Sequence, residues 1–263
     1  MKHHIDNKMY HIELMSPKQN TPTLDKDLET FADRYRAIVE AGYVACITDH
    51  PMGIISFSAI ELMGELGLPV DREQVVIHLN TFHTKEDLDT RLGDYIRMGG
   101  HYVLVVSGDG TSRLHRLTPA EIGIGGETVT SVELVAYIRR TFGDALACGV
   151  AYNQYEPPAH EDEKLNRKIE AGARFIITQP ALGRNERVLA LRRYGVPVMV
   201  GVWMSKKLDL LEKCIGNPLG FSGVYDPIEN MRQVLAACPD CGIYLSVLGY
   251  KTQFPKLKEL WKV

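Results

Sequence analysis

No stretch of the chain stays apolar for the length of a bilayer, which excludes a helical membrane span. The opening residues, MKHHIDNKMYHIEL, hold no apolar core of the kind a secretory signal needs. An excess of either charge is lacking too: 30 Lys and Arg stand against 33 Asp and Glu, a net charge of -3. A general binder of nucleic acid or of an anionic membrane would carry a basic excess, so neither partner is expected. Cysteine is sparse and odd in number, five in 263 residues, which argues against a disulfide framework. Cys46 and Cys148 lie in apolar runs and read as buried thiols. Cys238 and Cys241 form a single CxxC without a second pair at zinc spacing, and a loop before a strand is the plainer reading. The histidines show neither HxH nor HExxH spacing, so no metal site is expected. No internal repeat, linker or low-complexity segment interrupts the chain. What remains is a cytoplasmic globular protein, 45% hydrophobic and 24% charged, long enough to bury a core without staples.

Short β-branched runs alternate with longer amphipathic stretches. Strands are predicted at residues 10–15, 43–48, 74–80, 101–107, 145–152, 174–179, 196–203 and 242–249. Several are apolar at every position, as parallel strands covered on both faces are. Helical spacing fills the gaps. Leu28, Phe31, Tyr35, Ile38 and Val39 make one face, ended by Gly42. Thr84 precedes KEDLDTRLGDYIRM, and Thr130 with Glu133 has capping-box spacing ahead of SVELVAYIRRTF. Further helices are predicted at 160–172, 185–194, 205–215, 227–237 and 255–261. Eight βα repeats in this length predict one (β/α)8 TIM barrel over residues 1–263, of class α/β. An open doubly wound sheet is the rival. It would place a glycine-rich turn after its first strand, where this chain has MSPKQNTP.

A barrel builds its active site at the C-terminal ends of its strands. The polar residues there are Glu13, Thr48, Asp49, His50, His78, Asn80, Ser107, Asp109, Tyr152, Gln179 and Lys251. Glu13 sits inside a strand between Ile12 and Leu14, where a carboxylate is costly unless paired. It reads as a general acid with a raised pKa or as a structural carboxylate bonded to a neighbouring strand. Asp109, in SGDGTS, is either a ligand contact or turn chemistry. His78 follows an apolar run and equally suits a satisfied core histidine. The loop 107–128 carries five glycines and leads into a capped helix; a phosphate cradle and a lid are both open readings. The amide of Gln179 suits the edge of a pterin or flavin, or a hydrogen bond at the barrel rim.

These residues resemble the methylenetetrahydrofolate reductases. The most specific stretch is LNRKIEAGARFIITQ, residues 165–179, similar to that family's K-x-x-AGA-x-x-x-ITQ segment. HIELMSPK stands at the family's E-F-x-P-P, SGDG at its RGD, and GVAYNQYEPPAHE at its V-A-x-YPE-x-H; ITDHP and VVIHLN add support in the same order.

The resemblance implies a (β/α)8 enzyme that interconverts methylene- and methyltetrahydrofolate through bound FAD, with NAD(P)H as donor and a folate as substrate. It gives Glu13 the role of proton donor to the pterin nitrogen. Asp109 would contact flavin and folate, and Gln179 would bind the pterin. Thr48, His78, Gly108, Tyr152, Arg167 and Lys168 would hold FAD, with His160 and Glu161 in the shortened segment beside them. Lys251 would stand in for the arginine that grips the folate tail, because Leu248–Gly249–Tyr250 replaces the family's LNR. A homo-oligomer is expected. Three further departures are Ser107 for the arginine of RGD, Met204 for a proline after strand seven, and Ser16 for the first proline after Glu13. Ser107 favours a rival, a flavin-free tetrahydrofolate-dependent methyltransferase or demethylase on the same pocket. A non-catalytic folate-binding partner subunit is the second rival, opposed by the joint presence of Glu13, Asp109 and Gln179.

Overall fold

In a computed structural model of the chain, eight parallel strands close into a barrel in the order β1 to β8. The structure describes residues 10–216, 218–221, 223–246 and 249–260. The strands are β1 (Tyr10–Leu14), β2 (Val44–Ile47), β3 (Val75–Leu79), β4 (Tyr102–Val105), β5 (Ala147–Tyr152), β6 (Phe175–Pro180), β7 (Val198–Trp203) and β8 (Gly242–Ser246). Each falls within a residue or two of its predicted run. The end of β8 is the exception: its predicted run, 242–249, crosses Val247 and Leu248, which lie outside the described residues, and Gly249 is not in a strand. Every residue of β2, β4 and β7 is buried, which is why these strands read as unbroken apolar runs rather than alternating ones.

Helices α1 (Leu24–Glu40), α2 (Ala59–Glu65), α3 (Lys85–Arg97), α4 (Ser131–Phe142), α5 (Pro158–Glu170), α6 (Glu186–Ala190), α7 (Leu208–Ile215), α8 (Pro227–Ala237) and α9 (Phe254–Leu260) follow in turn. In α1 the buried face is Phe31, Ala32, Tyr35 and Ile38; in α3 it is Leu88, Leu92 and Tyr95. Burying a side chain such as Leu88 or Leu92 contributes about 1.5–3 kcal/mol. The start signals work as their spacing implies. Thr84 accepts from the Asp87 N–H, and Thr130 with Glu133 closes a full capping box. The sequence reading omits α2, although Ser58 and Glu61 form the same box there. The predicted helix 185–194 is α6 followed by a tighter 3₁₀ turn, Leu191–Tyr194.

The elements gather into two compact units. One takes its described residues from Met1–Glu13, Ala151–Glu163 and Phe175–Val263, the other from Leu14–Val150 and Lys164–Arg174. The first holds β6, β7 and β8 with most of β1; the second holds β2, β3 and β4.

Candidate active site

In the first unit, β1 pairs with β8 so that His11 lies beside Tyr244 and Ile12 beside Leu245. Alternation puts Glu13, Tyr244 and Ser246 on one face. The Ser246 hydroxyl donates to Glu13 Oε2 at 2.7 Å, and Tyr244 also hydrogen-bonds the carboxylate. Burial raises the Glu13 pKa, and these two hydrogen bonds only partly offset it, so the group is held above the ordinary carboxylate range. Glu13 is thus bonded to a neighbouring strand, and its pKa is raised by burial. Ser246 and Tyr244 were not visible in the sequence as its partners.

Gln179 sits half-buried in β6, where the register with β7 shifts between Ile177 and Pro180. Three side chains support this bulge. Gln154 Nε2 donates to the Gln179 and Pro180 carbonyls at 2.8 and 3.2 Å. Thr178 Oγ1 donates to the Gln179 carbonyl and accepts from the Gly201 N–H. The Tyr155 hydroxyl donates to the Pro180 carbonyl at 2.7 Å. A bulge at a strand end re-aims the side chain it carries, here Gln179. Tyr152, at the end of β5, is buried; its hydroxyl donates to Asp162, and the Arg187 guanidinium stacks 5.5 Å from its ring. Glu161 is buried and accepts from the Asn153 N–H, whereas His160 and Lys251 are exposed.

The second unit carries a denser electrostatic cluster, beginning just past β2. Asp49 Oδ2 accepts from His83 Nε2 at 2.7 Å, and His83 Nδ1 donates to Asp87 at 2.9 Å. Arg91 closes the chain on Asp87 at 2.6 Å. Burial opposes charge on His83, but its two carboxylate partners prevail and lift its pKa to about 9. The same contacts overcome burial at Asp87, which is lowered to about 2, and hold Asp49 below its ordinary value. Asp49, His50 and His83 offer atoms within 4.8 Å of one another, close enough to suggest a cation. Both ring nitrogens of His83 face carboxylates, and His50 Nδ1 accepts from the Ser56 N–H. His50 itself has a left-handed backbone (φ 45°), as does Met52 (φ 57°), in the turn after β2.

Of the other predicted residues in this unit, Thr48 Oγ1 accepts from the Ser16 N–H, while Ser16 Oγ donates to the Thr48 carbonyl. Ser16 thus ties the segment after β1 to β2. His78 is partly exposed at the end of β3, and burial lowers its pKa to about 4, so it is neutral near pH 7. Ser107, Gly108 and Asp109 are exposed on the loop after β4. Gly108 (φ 78°) leaves no room for a side chain: a Cβ there would lie 2.6 Å from Asn80. Arg167 pairs with Glu133 at 3.2 Å, and Lys168 is buried.

The family model described as methylenetetrahydrofolate reductase matches residues 1–186, which include Glu13, the Asp49 cluster, Asp109 and Gln179. The chain belongs to the methylenetetrahydrofolate reductase family. No curated protein matches it in sequence. Solved structures similar in fold include a dihydropteroate synthetase with a product (TM-score 0.52, 14% identity, 96% of this chain and 91% of that one). Yersinia pestis dihydropteroate synthase with a pterine–sulfa conjugate aligns at TM-score 0.50 and 15% identity, over 97% and 94% of the two chains. A 2,3-dimethylmalate lyase of the PEP mutase/isocitrate lyase superfamily gives TM-score 0.51 at 9% identity, over 97% and 80%. At such identities these likenesses speak for the barrel alone. Among the described residues no helix is long and apolar enough to cross a membrane.

Proposed function

We propose that this member of the family interconverts 5,10-methylene- and 5-methyltetrahydrofolate, with FAD as cofactor and NAD(P)H as donor. The observation that carries the reading is Glu13, a carboxyl in a strand whose pKa is raised by burial and which is anchored by Ser246 and Tyr244. Opening the methylene bridge requires a proton on N10, the bridge nitrogen outside the pterin ring, so that the carbon stays on N5, and a carboxyl whose pKa is raised is suited to give it. Loss of that C–N bond leaves an electrophilic iminium carbon, which takes hydride. Glu13 recovers its proton from solvent. Gln179, presented by the β6 bulge, offers a donor and an acceptor to the pterin amide edge.

The donor set of the second unit fits a flavin ring. A neutral imidazole, His78, stands partly exposed at a strand end, and the loop of Gly108 and Asp109 lies open beside Asn80. Arg167 on α5 is the exposed cation for the diphosphate. Bound FAD would supply hydride exchange between nicotinamide and the one-carbon unit. Thr48 and Tyr152 would act by position, since their side chains are already engaged by Ser16 and Asp162.

A second reading, flavin-free folate methyl transfer, is favoured by one observation: the exposed Ser107 stands where the family has arginine. One experiment separates the two. The purified protein is mixed with FAD, freed of excess and scanned for a retained flavin band, then assayed for NAD(P)H oxidation with methylenetetrahydrofolate. A retained flavin with turnover supports the reductase; a colourless protein that moves methyl groups from methyltetrahydrofolate supports the transferase. Cytoplasmic location and a homo-oligomeric state belong to the same proposal, to be checked by fractionation and light scattering.

A further inference from the structure

We propose that Cys238 and Cys241 are a redox-active dithiol, converted by a small-molecule disulfide such as oxidised glutathione into an intramolecular disulfide. The pair lies in the first unit, where α8 gives way to β8. Cys238 caps α8, its N–H bonded to the Val234 carbonyl, and Cys241 is followed at once by Gly242, the first residue of β8. The Cys241 N–H donates to the Cys238 carbonyl at 3.0 Å, closing a four-residue turn with Pro239 at its second position. Such a turn holds its outer Cα atoms within about 7 Å, the reach a disulfide needs. The thiols already face each other, hydrogen-bonded side chain to side chain. Both are buried, while Pro239 and Asp240 between them are exposed. No third metal-ligating side chain joins them among the described residues, so zinc coordination has no basis here.

The surroundings divide the labour between the sulfurs. Cys238 is lowered to about 7, first by the hydrogen bond from Cys241 and then by Arg192 and Arg184; Cys241 is raised by the same hydrogen bond and by burial. Cys238 is therefore the attacking thiolate and Cys241 the resolving thiol. In the first step the Cys238 sulfur attacks one sulfur of the small disulfide, forming a mixed disulfide and releasing one thiolate. In the second, the Cys241 sulfur attacks Cys238, its proton passes to the departing thiolate, and the second small thiol leaves. Two protein thiols are oxidised and one small disulfide is reduced to two thiols. This inference does not depend on the folate reading, since the pair lies at the opposite end of β8 from Ser246.

The test uses the full chain carrying Cys214→Ser, which removes the exposed thiol. The protein is equilibrated with reduced and oxidised glutathione in varied ratio, quenched with acid, alkylated and mapped by mass spectrometry. The expected result is loss of two alkylatable thiols, both in the peptide 238–241, with no adduct retained and full recovery on reduction. Adding Cys241→Ser should leave glutathione attached to Cys238. A chain of native circular dichroism that keeps all its thiols at every ratio, or loses them elsewhere, overturns the proposal. If the serine variant fails to fold, reversal of the parent chain's thiol loss across the glutathione series decides the matter.

Discussion

Ser246 at the end of the last strand donates a 2.7 Å hydrogen bond to Glu13 in the first, 233 residues away in sequence. The bond favours the charged carboxylate, and burial opposes it more strongly. Glu13→Gln keeps the shape and removes the proton. We expect kcat to fall by about 10²–10⁴, the usual worth of a general acid, with folate KM little changed. Ser246→Ala should act with the opposite subtlety. It takes away a bond to the charged form, so the Glu13 pKa rises, and the alkaline limb of the pH–rate profile moves to higher pH. A limb that stays fixed in Ser246→Ala would show that another group gives the proton.

His83 links Asp49 to Asp87, and its pKa is raised to about 9 from an ordinary 6.5. A histidine raised in the folded state contributes stability that is complete below about pH 6.5 and is lost as pH climbs through about 9. Asp87, lowered to about 2, works at the other end: its contribution is present above about pH 4 and fades as pH falls through about 2. Denaturant melts of wild type and His83→Asn from pH 6 to 10 should converge at the alkaline end. The variant should lose about 3 kcal/mol near pH 6, because it leaves a buried carboxylate without its cation. Parallel curves at every pH would mean that His83 is neutral in the folded protein.

Ser107→Arg tests the flavin reading by restoring the side chain the family carries. The exposed position offers room for it, and Gly108 already turns the loop. One charge-assisted hydrogen bond contributes about 1.5–3 kcal/mol, so FAD affinity should rise by about tenfold or more. Fluorescence quenching on FAD titration measures it. Equal weak binding in both proteins would favour the flavin-free alternative.

The strands were legible because each is short, β-branched and buried, and the barrel order followed from their number and alternation. Capped helices were legible wherever a long amphipathic face followed the cap, as at Thr84 and Thr130. The seven residues of α2 carry the same box at Ser58 and Glu61, but too short a face for the period to register. The site divides in the same way. Glu13 stood out because a carboxylate between apolar residues needs a reason to be there. What answers it, Ser246 and Tyr244, comes from strand pairing across the chain, which no local spacing encodes. The Asp49–His83–Asp87 chain is hidden likewise: Asp49 and His83 are 34 residues apart and meet only once β2 and β3 are side by side.

The bulge that presents Gln179 depends on a glycine in the neighbouring strand. A Cβ on Gly201 would lie 2.7 Å from the Thr178 carbonyl oxygen and 2.8 Å from backbone atoms of Gln179 and Pro180. These are main-chain atoms, so no side chain can swing aside, and the strands must part or the bulge must flatten. Gly201→Ala should therefore cost about 1–3 kcal/mol, the range for overpacking a tight core. It should also raise folate KM more than it lowers kcat, since Gln179 is turned from the pterin while Glu13 keeps its partners on β8. Gln179→Ala, which removes the side chain and leaves the bulge intact, should raise KM without the loss of stability. Equal KM values in Gly201→Ala and wild type, with the stability loss present, would separate the bulge from recognition and leave Gly201 a packing residue only.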